Sequence, residues 1–231
     1  MLTVLQTALE VGLIYGLVAL ALFISFSILN IADLSTDGCF TLGCAVGAML
    51  TIAGHPILAL FAAMAAGMLS GYITAFLQTR LGVESILAGI ISNTGLYTIN
   101  LAVMGFSSNV SITGVDTVFS LFKGLVGGQW SRLILLALIA AVIVIVLIRF
   151  FGTSLGLSIR ATGDSLDMVS ASSINPKATI TIGLCLANAL TALSGCLIGE
   201  YNKFCDINLG TGMVTIALAS LIIGEVFAGH R

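Results

Sequence analysis

The stretch LNIADLSTDGCFTLG, residues 29–43, places two carboxylates, Asp33 and Asp37, between two long apolar runs. An Asp at the centre of a membrane helix costs about 2.5–3.5 kcal/mol on insertion scales, and each Leu or Ile returns only about 0.3–0.6 kcal/mol. Two Asp so close together therefore do not fit a lipid-facing helix. The stretch is either a cytoplasmic turn or non-helical backbone at membrane depth that faces protein or a water-filled path.

The residue types in this stretch favour a helix that restarts after a break. Asp33, Ser35, Thr36 and Asp37 are all good N-cap residues, and Asp37 followed by Gly38 is a turn signal. A half-helix that begins near residue 37 directs its free N–H groups and positive dipole end at whatever lies in front of it. Discontinuous helices of this kind form substrate sites in transporters. The alternative is a short loop whose carboxylates only cap the next helix.

The composition is that of an integral membrane protein. Of 231 residues, 58% are hydrophobic and 8% are charged, whereas a soluble domain is roughly 25% charged. We therefore predict an all-α fold, a polytopic membrane helix bundle with a broken second helix, forming a single domain over residues 1–231. The chain ends just after its last apolar run, and we expect the sequence to be truncated. Windows of about 20 residues predict seven spans, near residues 4–29, 38–54, 57–78, 86–106, 131–151, 177–199 and 212–228.

The cationic residues predict the orientation of these spans. A cytoplasmic loop at 152–176 gives more Lys and Arg inside than outside, which places the N-terminus outside. The inside residues are then Arg80, Arg149, Arg160, Lys177 and Arg231, and the outside residues are Lys123, Arg132 and Lys203.

Small residues within the spans predict close helix packing. Glycines one turn apart let helix backbones approach closely, and four such pairs occur: Gly12/Gly16, Gly43/Gly47, Gly67/Gly71 and Gly195/Gly199. The five cysteines form no CxxC pair, so packing is a better interpretation than metal or redox chemistry.

The fourth span carries polar residues at helical spacing. Ser92, Asn93, Tyr97 and Asn100 form one stripe that must face other helices, either as interhelical hydrogen bonds or as the lining of a path. The loop that follows, residues 107–130, contains the short apolar piece VFSLF. That piece is either an interfacial helix or part of a plain connector on the membrane surface.

The loop between the fifth and sixth spans has internal structure of its own. We predict that Gly163 ends a short helix over 155–161, and that Asp164 with Asp167 forms a capping box that starts a second. Asn175 then caps the sixth span, with Pro176 at its first position. Leu166, Met168 and Val169 give the second short helix an apolar edge. This pattern indicates a docking surface for another protein, or else a solvated loop lying on its own bundle.

No catalytic constellation is present in the sequence. There is no GxxxxGK[ST] phosphate loop, no GxSxG and no HExxH, and we predict neither an enzyme nor a cofactor or metal site. Transport against a gradient would therefore need a coupled ion or an ATPase partner.

Two segments resemble the permeases of branched-chain amino acid ABC importers. Residues 149–201 resemble that family through Gly156 to Arg160–Ala161, the turn Ser173–Ile174–Asn175, where the family has Gly at the first position, and Ala192 to Gly195. The break DLSTDGCFTLG, residues 33–43, is similar to a branch of tryptophan or tyrosine import permeases, as are the sequences of residues 87–90, 96–105 and 216–225.

The resemblance implies partners and roles for these residues. It implies a homodimer, or one half of a pair of different permeases, in a bacterial plasma membrane, together with two cytoplasmic ATP-binding subunits and an extracytoplasmic substrate-binding protein. The 152–176 loop would be the coupling segment. Residues expected to couple to the ATPase are Arg160, Ala161, Asp164, Leu166 and Asn175, and residues expected along the translocation path are Asp33, Ser35, Asp37, Gly38, Asn93 and Tyr97.

The expected function is amino-acid import by alternating access, with an aromatic amino acid as one candidate substrate. Three alternatives are an ABC importer for sugars or nucleosides, a secondary transporter that uses Asp33, Asp37 or Glu10 as an ion site, and a membrane protein with a structural role.

Overall fold

The computed structural model describes residues 2–127, 130–172 and 174–228. A π-helical segment, Phe23–Ile28, continues the first helix, and two short strands complete the described secondary structure. The helices are α1 (Leu2–Leu22), α2 (Thr36–Ile52), α3 (Pro56–Thr79), α4 (Ser85–Val103), α5 (Val118–Val126), α6 (Ser131–Phe151), α7 (Ser154–Asp164), α8 (Leu166–Ala171), α9 (Pro176–Asn202) and α10 (Met213–Ala228), and the strands are β1 (Asn109–Ser111) and β2 (Phe204–Asp206).

The predicted polytopic all-α bundle is confirmed. Each of the seven predicted spans forms a helix, and five helices among the described residues are long and apolar enough to cross a membrane. The other two apolar helices, α2 and α10, are shorter. Both begin inside the bundle, because each follows a non-helical segment that packs among the other helices.

Helix α9 lies at the centre of the bundle. In the most apolar stretch of α9, 83% of the residues are buried inside the bundle. In the most apolar stretch of α6, only 17% are buried. The apolar surface of α6 is therefore left to face lipid. Close approach to α9 depends on glycine: a Cβ on Gly195 would overlap the carbonyl of Phe40 in α2, and a Cβ on Gly71 of α3 would lie 2.5 Å from the carbonyl oxygen of Leu184.

Three of the four glycine pairs pack in this way. Gly43 and Gly47 contact α9, Gly67 and Gly71 bring α3 against α9, and Gly195 and Gly199 receive α2. Gly12 and Gly16 have no described neighbour within 4 Å of a Cβ position, so that pair makes no close contact.

The two ends of the bundle differ in structure. At one end β1 and β2 pair antiparallel, with Val110 opposite Cys205. At the other end lie α7 and α8. We call these the outer and inner ends, after the predicted orientation. Arg80, Arg149, Arg160 and Lys177 lie towards the inner end and Lys123, Arg132 and Lys203 towards the outer end, while Arg231 is outside the described residues.

The loop at residues 107–130 contains the helix α5. Of the two predicted alternatives, a helix and a plain connector, the structure shows the helix. Thr117 and Ser120 form a capping box at the start of α5. The carboxylate of Glu200 accepts the Val118 N–H at 2.8 Å and the Thr51 hydroxyl at 3.0 Å, which fixes α5 against the bundle. The strands were not predicted, because three-residue segments give almost no periodic signal.

The inner loop corrects two predictions. Gly163 does not end α7, which continues to Asp164. Its lack of a side chain instead allows contact with the Ile28 carbonyl at the end of the first span. The residue that caps α8 is Ser165, whose hydroxyl accepts the Met168 N–H at 3.4 Å, and the predicted Asp164 cap is wrong.

Two further predictions for this loop have different outcomes. The cap of α9 is confirmed, since Asn175 Oδ1 accepts the Lys177 N–H at 3.1 Å and Pro176 occupies the first helical position. Val169 is buried and does not belong to the exposed apolar edge, whereas Leu166 and Met168 do. Ser173 lies outside the described residues.

Candidate translocation site

The first span ends in wider helical turns before the break. The Leu29 N–H bonds to the Ile24 carbonyl and the Ile31 N–H to the Ser25 carbonyl, and Asn30 has a positive φ of 55°. Asn tolerates this left-handed conformation better than most residues, and it commonly ends helices. The chain stays non-helical from there until Thr36.

Asp33 is buried at the centre of the break. Its Oδ1 accepts the Ser35 N–H at 2.8 Å and the Ser35 hydroxyl at 2.6 Å, and its Oδ2 accepts an N–H of the Asn188 amide at 2.8 Å. Asn188 lies twelve residues after the first residue of α9, or about 18 Å along the helix. The break is thus non-helical backbone deep in the bundle, facing protein, rather than a cytoplasmic turn.

Asp37 joins the starts of two helices. It lies in the first turn of α2, and its carboxylate accepts the N–H groups of Gly212 at 3.0 Å and Val214 at 2.9 Å. These are the unpaired donors at the N-terminus of α10. A carboxylate at this position also interacts favourably with the dipoles of both helices.

Thr41 strengthens the same contact one turn further along α2. Its hydroxyl accepts the Gly210 N–H at 3.1 Å and donates to the Asp37 carbonyl at 3.2 Å. A Cβ on Gly210 would overlap the Asp37 carbonyl, so only glycine permits this approach. The chain from β2 therefore returns into the bundle before α10 begins.

A cavity of about 400 Å³ lies beside these helix starts. Four of the six predicted path residues line it, namely Asp37, Gly38, Asn93 and Tyr97. Asp33 and Ser35 lie in the buried break instead and do not line the cavity. The remaining lining residues are Thr41, Thr94, Thr98, Asn100, Ile207, Asn208 and Thr211.

The polar stripe of α4 divides between contacts with other helices and the wall of the cavity. Ser92 accepts a hydrogen bond from the Thr74 hydroxyl of α3 at 2.9 Å, and Asn100 donates to the Gly38 carbonyl of α2 at 3.0 Å. These contacts hold helices together. Asn93 and Tyr97 face the cavity, and a Cβ on Gly38 would lie 2.5 Å from Asn93 Oδ1.

The sequence interpretation missed one wall of the cavity. Asn208 and Thr211 belong to NLGTG, residues 208–212, which combines turn and N-cap residues directly before an apolar run. That is the same signal as at residues 33–38, so it could have been recognised as a second break. Thr94 and Thr98 follow from the stripe already identified on α4.

The predicted coupling residues lie together at the inner end. Arg160, Ala161 and Asp164 are on α7, Leu166 begins α8, and Asn175 caps α9. The Arg160 guanidinium carbon lies 5.4 Å from the centre of the Phe151 ring, a cation–π distance. Leu166 and Met168 are 53% and 65% exposed and form an uncovered apolar edge.

Helix α7 packs directly against the beginning of the break. Gly163 contacts the Ile28 carbonyl and the Cα of Leu29. On its other side the Thr162 hydroxyl pairs with the Thr179 hydroxyl of α9 at 2.8 Å. A displacement of α7 would therefore act on the end of the first span and on α9, and the Asp33–Asn188 hydrogen bond joins α9 to the break.

Metal-binding chemistry has no visible basis in the part of the chain that the structure describes. No group of three or more His, Cys, Asp and Glu side chains there is arranged to hold an ion. The cysteines are all free thiols, and four of the five are buried.

A bundle of spanning helices with two interrupted segments around a polar cavity is the architecture of a multi-pass membrane protein. The chain belongs to the family of permease components of the branched-chain amino acid transport system, which it matches over residues 4–230.

Two individual proteins are similar to most of this chain. The chain is 34% identical to the tyrosine transport system permease protein of Clostridioides difficile (strain R20291) over 214 residues, 92% of this chain and 70% of the relative. It is 35% identical to the uncharacterized protein RP368 of Rickettsia prowazekii (strain Madrid E), over 96% of this chain and 77% of that protein. No solved structure gives a significant match.

Proposed function

We propose that this chain is the membrane-spanning subunit of an ABC importer that takes up an aromatic amino acid, tyrosine being the first candidate. The family and the tyrosine permease of Clostridioides difficile support amino-acid transport. ATP hydrolysis is assigned to two partner subunits at the inner end, and substrate delivery to a binding protein at the outer end. The membrane is the bacterial plasma membrane.

The observation that carries this proposal is the contact between α7 and the break. The ATPase subunits bind the exposed edge of the 152–176 coupling loop, where Leu166 and Met168 offer apolar side chains. Nucleotide-driven movement of this loop acts on Ile28 through Gly163 and on α9 through Thr162. The break and the cavity beside it then change which side of the membrane they face.

The cavity suits a polar, uncharged or zwitterionic cargo. Its walls carry amides and hydroxyls. Asp37 is the only charged residue among the described residues that line it, and it already accepts two backbone N–H groups. Neutral donors and acceptors bind weakly enough to release a cargo that must pass on. In this proposal Asp33 and Asp37 hold the break in shape, and Asn93 and Tyr97 contact the amino acid.

A second copy of the chain completes the path. Thr94, Tyr97 and Thr98 are exposed on α4, and Tyr97 is 50% exposed. Polar side chains on a membrane helix normally face protein or a water-filled cavity rather than lipid. We therefore place the α4 face of a partner subunit opposite this one, in a homodimer.

Proteoliposomes test the proposal. The permease, its ATPase subunit and its binding protein are reconstituted together, and uptake of labelled tyrosine is followed with competing tryptophan, ribose or adenosine. We expect uptake only with ATP inside and binding protein outside, inhibited by tryptophan alone among these competitors. Uptake that follows an imposed proton or sodium gradient without the ATPase would instead establish a secondary transporter. ATP-driven uptake inhibited only by ribose or adenosine would overturn the amino-acid assignment.

A further inference from the structure

A second cleft lies at the inner end, away from the translocation cavity. It has a volume of about 300 Å³ and is formed between the end of α3 and the start of α9. Its walls include Tyr72, Phe76, Arg80, Asn175 and Lys177. We propose that this cleft binds the head group and upper acyl chain of an anionic phospholipid of the inner leaflet.

The head-group end of the cleft is strongly cationic. Arg80 and Lys177 both line it, and neither forms an ion pair with any residue that the structure describes. The Oδ1 atom of Asn175 accepts the Lys177 N–H, which leaves the amide N–H groups of Asn175 as further donors. The positive end of the α9 dipole adds to the same field. These groups fit a phosphodiester.

The other end of the cleft is apolar and extends into the membrane. Tyr72 and Phe76 are 53% and 42% exposed, and their ring centroids are 6.5 Å apart. Tyr72 precedes Arg80 by eight residues on α3, or about 12 Å along the helix. Exposed Leu69, three residues before Tyr72 on α3, continues this apolar surface towards the middle of the span.

A cleft with a cationic end and an apolar end fits a phospholipid better than it fits free phosphate or an acidic protein side chain. Free phosphate would use the cationic end and leave the aromatic wall uncovered. The acidic side chain of a partner protein would reach Arg80 and Lys177 at the inner end but not Tyr72 inside the span. A phospholipid supplies an anion and an acyl chain in one molecule, and basic pockets between helices at the cytoplasmic surface are known sites of this type.

The test measures lipid binding to the intact chain by native mass spectrometry. Phosphatidylglycerol, cardiolipin or phosphatidylethanolamine is titrated into the wild type, the Arg80→Gln/Lys177→Gln variant, the charge-preserving Arg80→Lys/Lys177→Arg variant, and Arg149→Gln. Arg149 is an exposed cation at the same end that does not line the cleft. Inorganic phosphate is added as a competitor, and ATPase-subunit capture is measured in parallel.

We expect one anionic lipid to bind tightly to the wild type and to Arg149→Gln. Its dissociation constant should rise at least tenfold in Arg80→Gln/Lys177→Gln, recover in the charge-preserving variant, and stay unchanged with millimolar phosphate. Equal affinity for phosphatidylethanolamine, displacement by phosphate, or unchanged lipid binding combined with loss of ATPase capture would each overturn the proposal. The last of these results would assign the cleft to a protein partner.

Discussion

The carboxylate of Asp37 in α2 accepts the backbone N–H of Val214 in α10 at 2.9 Å. A residue in the first turn of one interrupted helix thus caps another that begins beside it, although 177 positions separate them in the sequence. The N-terminal end of α2 and the residues just before α10 line the polar cavity. Their relative position depends on this contact and on the Gly212 N–H, which the same carboxylate accepts.

Asp37→Asn should weaken the junction between these helices. The amide keeps one acceptor oxygen and replaces the other with a donor that opposes a backbone N–H. Loss of a cap costs about 0.5–2 kcal/mol, and loss of the charge at the helix ends about 0.3–1 kcal/mol. We expect a lower thermal unfolding temperature in detergent and a several-fold drop in uptake. Asp116→Asn, at an exposed aspartate of the outer loop, should change neither, and a matching loss there would show that the effect is not specific to the junction.

The Asp33–Asn188 hydrogen bond can be tested by exchanging the two residues, in the double variant Asp33→Asn/Asn188→Asp. In Asp33→Asn alone, two amide N–H donors face each other. In Asn188→Asp alone, two carboxylates face each other in a buried site. Each single variant should lower the yield of folded protein and its unfolding temperature. Combining them restores a donor and an acceptor, and contacting residues commonly show coupling of about 0.5–3 kcal/mol. Strictly additive losses in the double variant would contradict a direct interaction that holds the break.

Gly163→Ala should separate ATP hydrolysis from transport. The added methyl would overlap the Ile28 carbonyl, so α7 must move away from the first span. We expect the ATPase subunits still to bind, while the number of tyrosine molecules imported per ATP hydrolysed falls. The matched control is Gly152→Ala, where a Cβ would meet its nearest atom at 3.4 Å. Unchanged coupling in Gly163→Ala would remove α7 from the proposed transmission route.

Leu166→Glu should abolish ATPase capture. The leucine lies on the uncovered edge of the coupling loop and makes no contribution to the buried core, so the change should leave the permease folded. Co-purification with a tagged ATPase subunit measures the effect, and Phe106→Glu, at an exposed residue of the outer end, is the control. Equal capture by all three proteins would place the docking surface elsewhere.

The sequence predicted the spans because a continuous apolar run of about 20 residues forms a helix when it crosses a membrane. It located the break because two aspartates cannot face acyl chains, and it found Asn93 and Tyr97 because α4 repeats polar residues at helical spacing. The second break carries a local signal in NLGTG, residues 208–212, whereas the Asp37 cap depends on a tertiary contact between distant segments, which no local pattern reveals. The interpretation of Gly163 failed for the same reason: a glycine needed for close packing has the same appearance in a sequence as one that ends a helix.

The most direct test of the account is the side from which the cavity can be reached. Thr98→Cys introduces a thiol into its wall, in a background where Cys185, the half-buried cysteine, is changed to Ser. Reconstituted transporter is labelled with a membrane-impermeant maleimide from each side, without nucleotide and after trapping with ATP and vanadate. Ser107→Cys, exposed at the outer end, should react from outside in both states. We predict that the thiol at position 98 reacts from opposite sides in the two states, and reaction from the same side in both would contradict alternating access through this cavity.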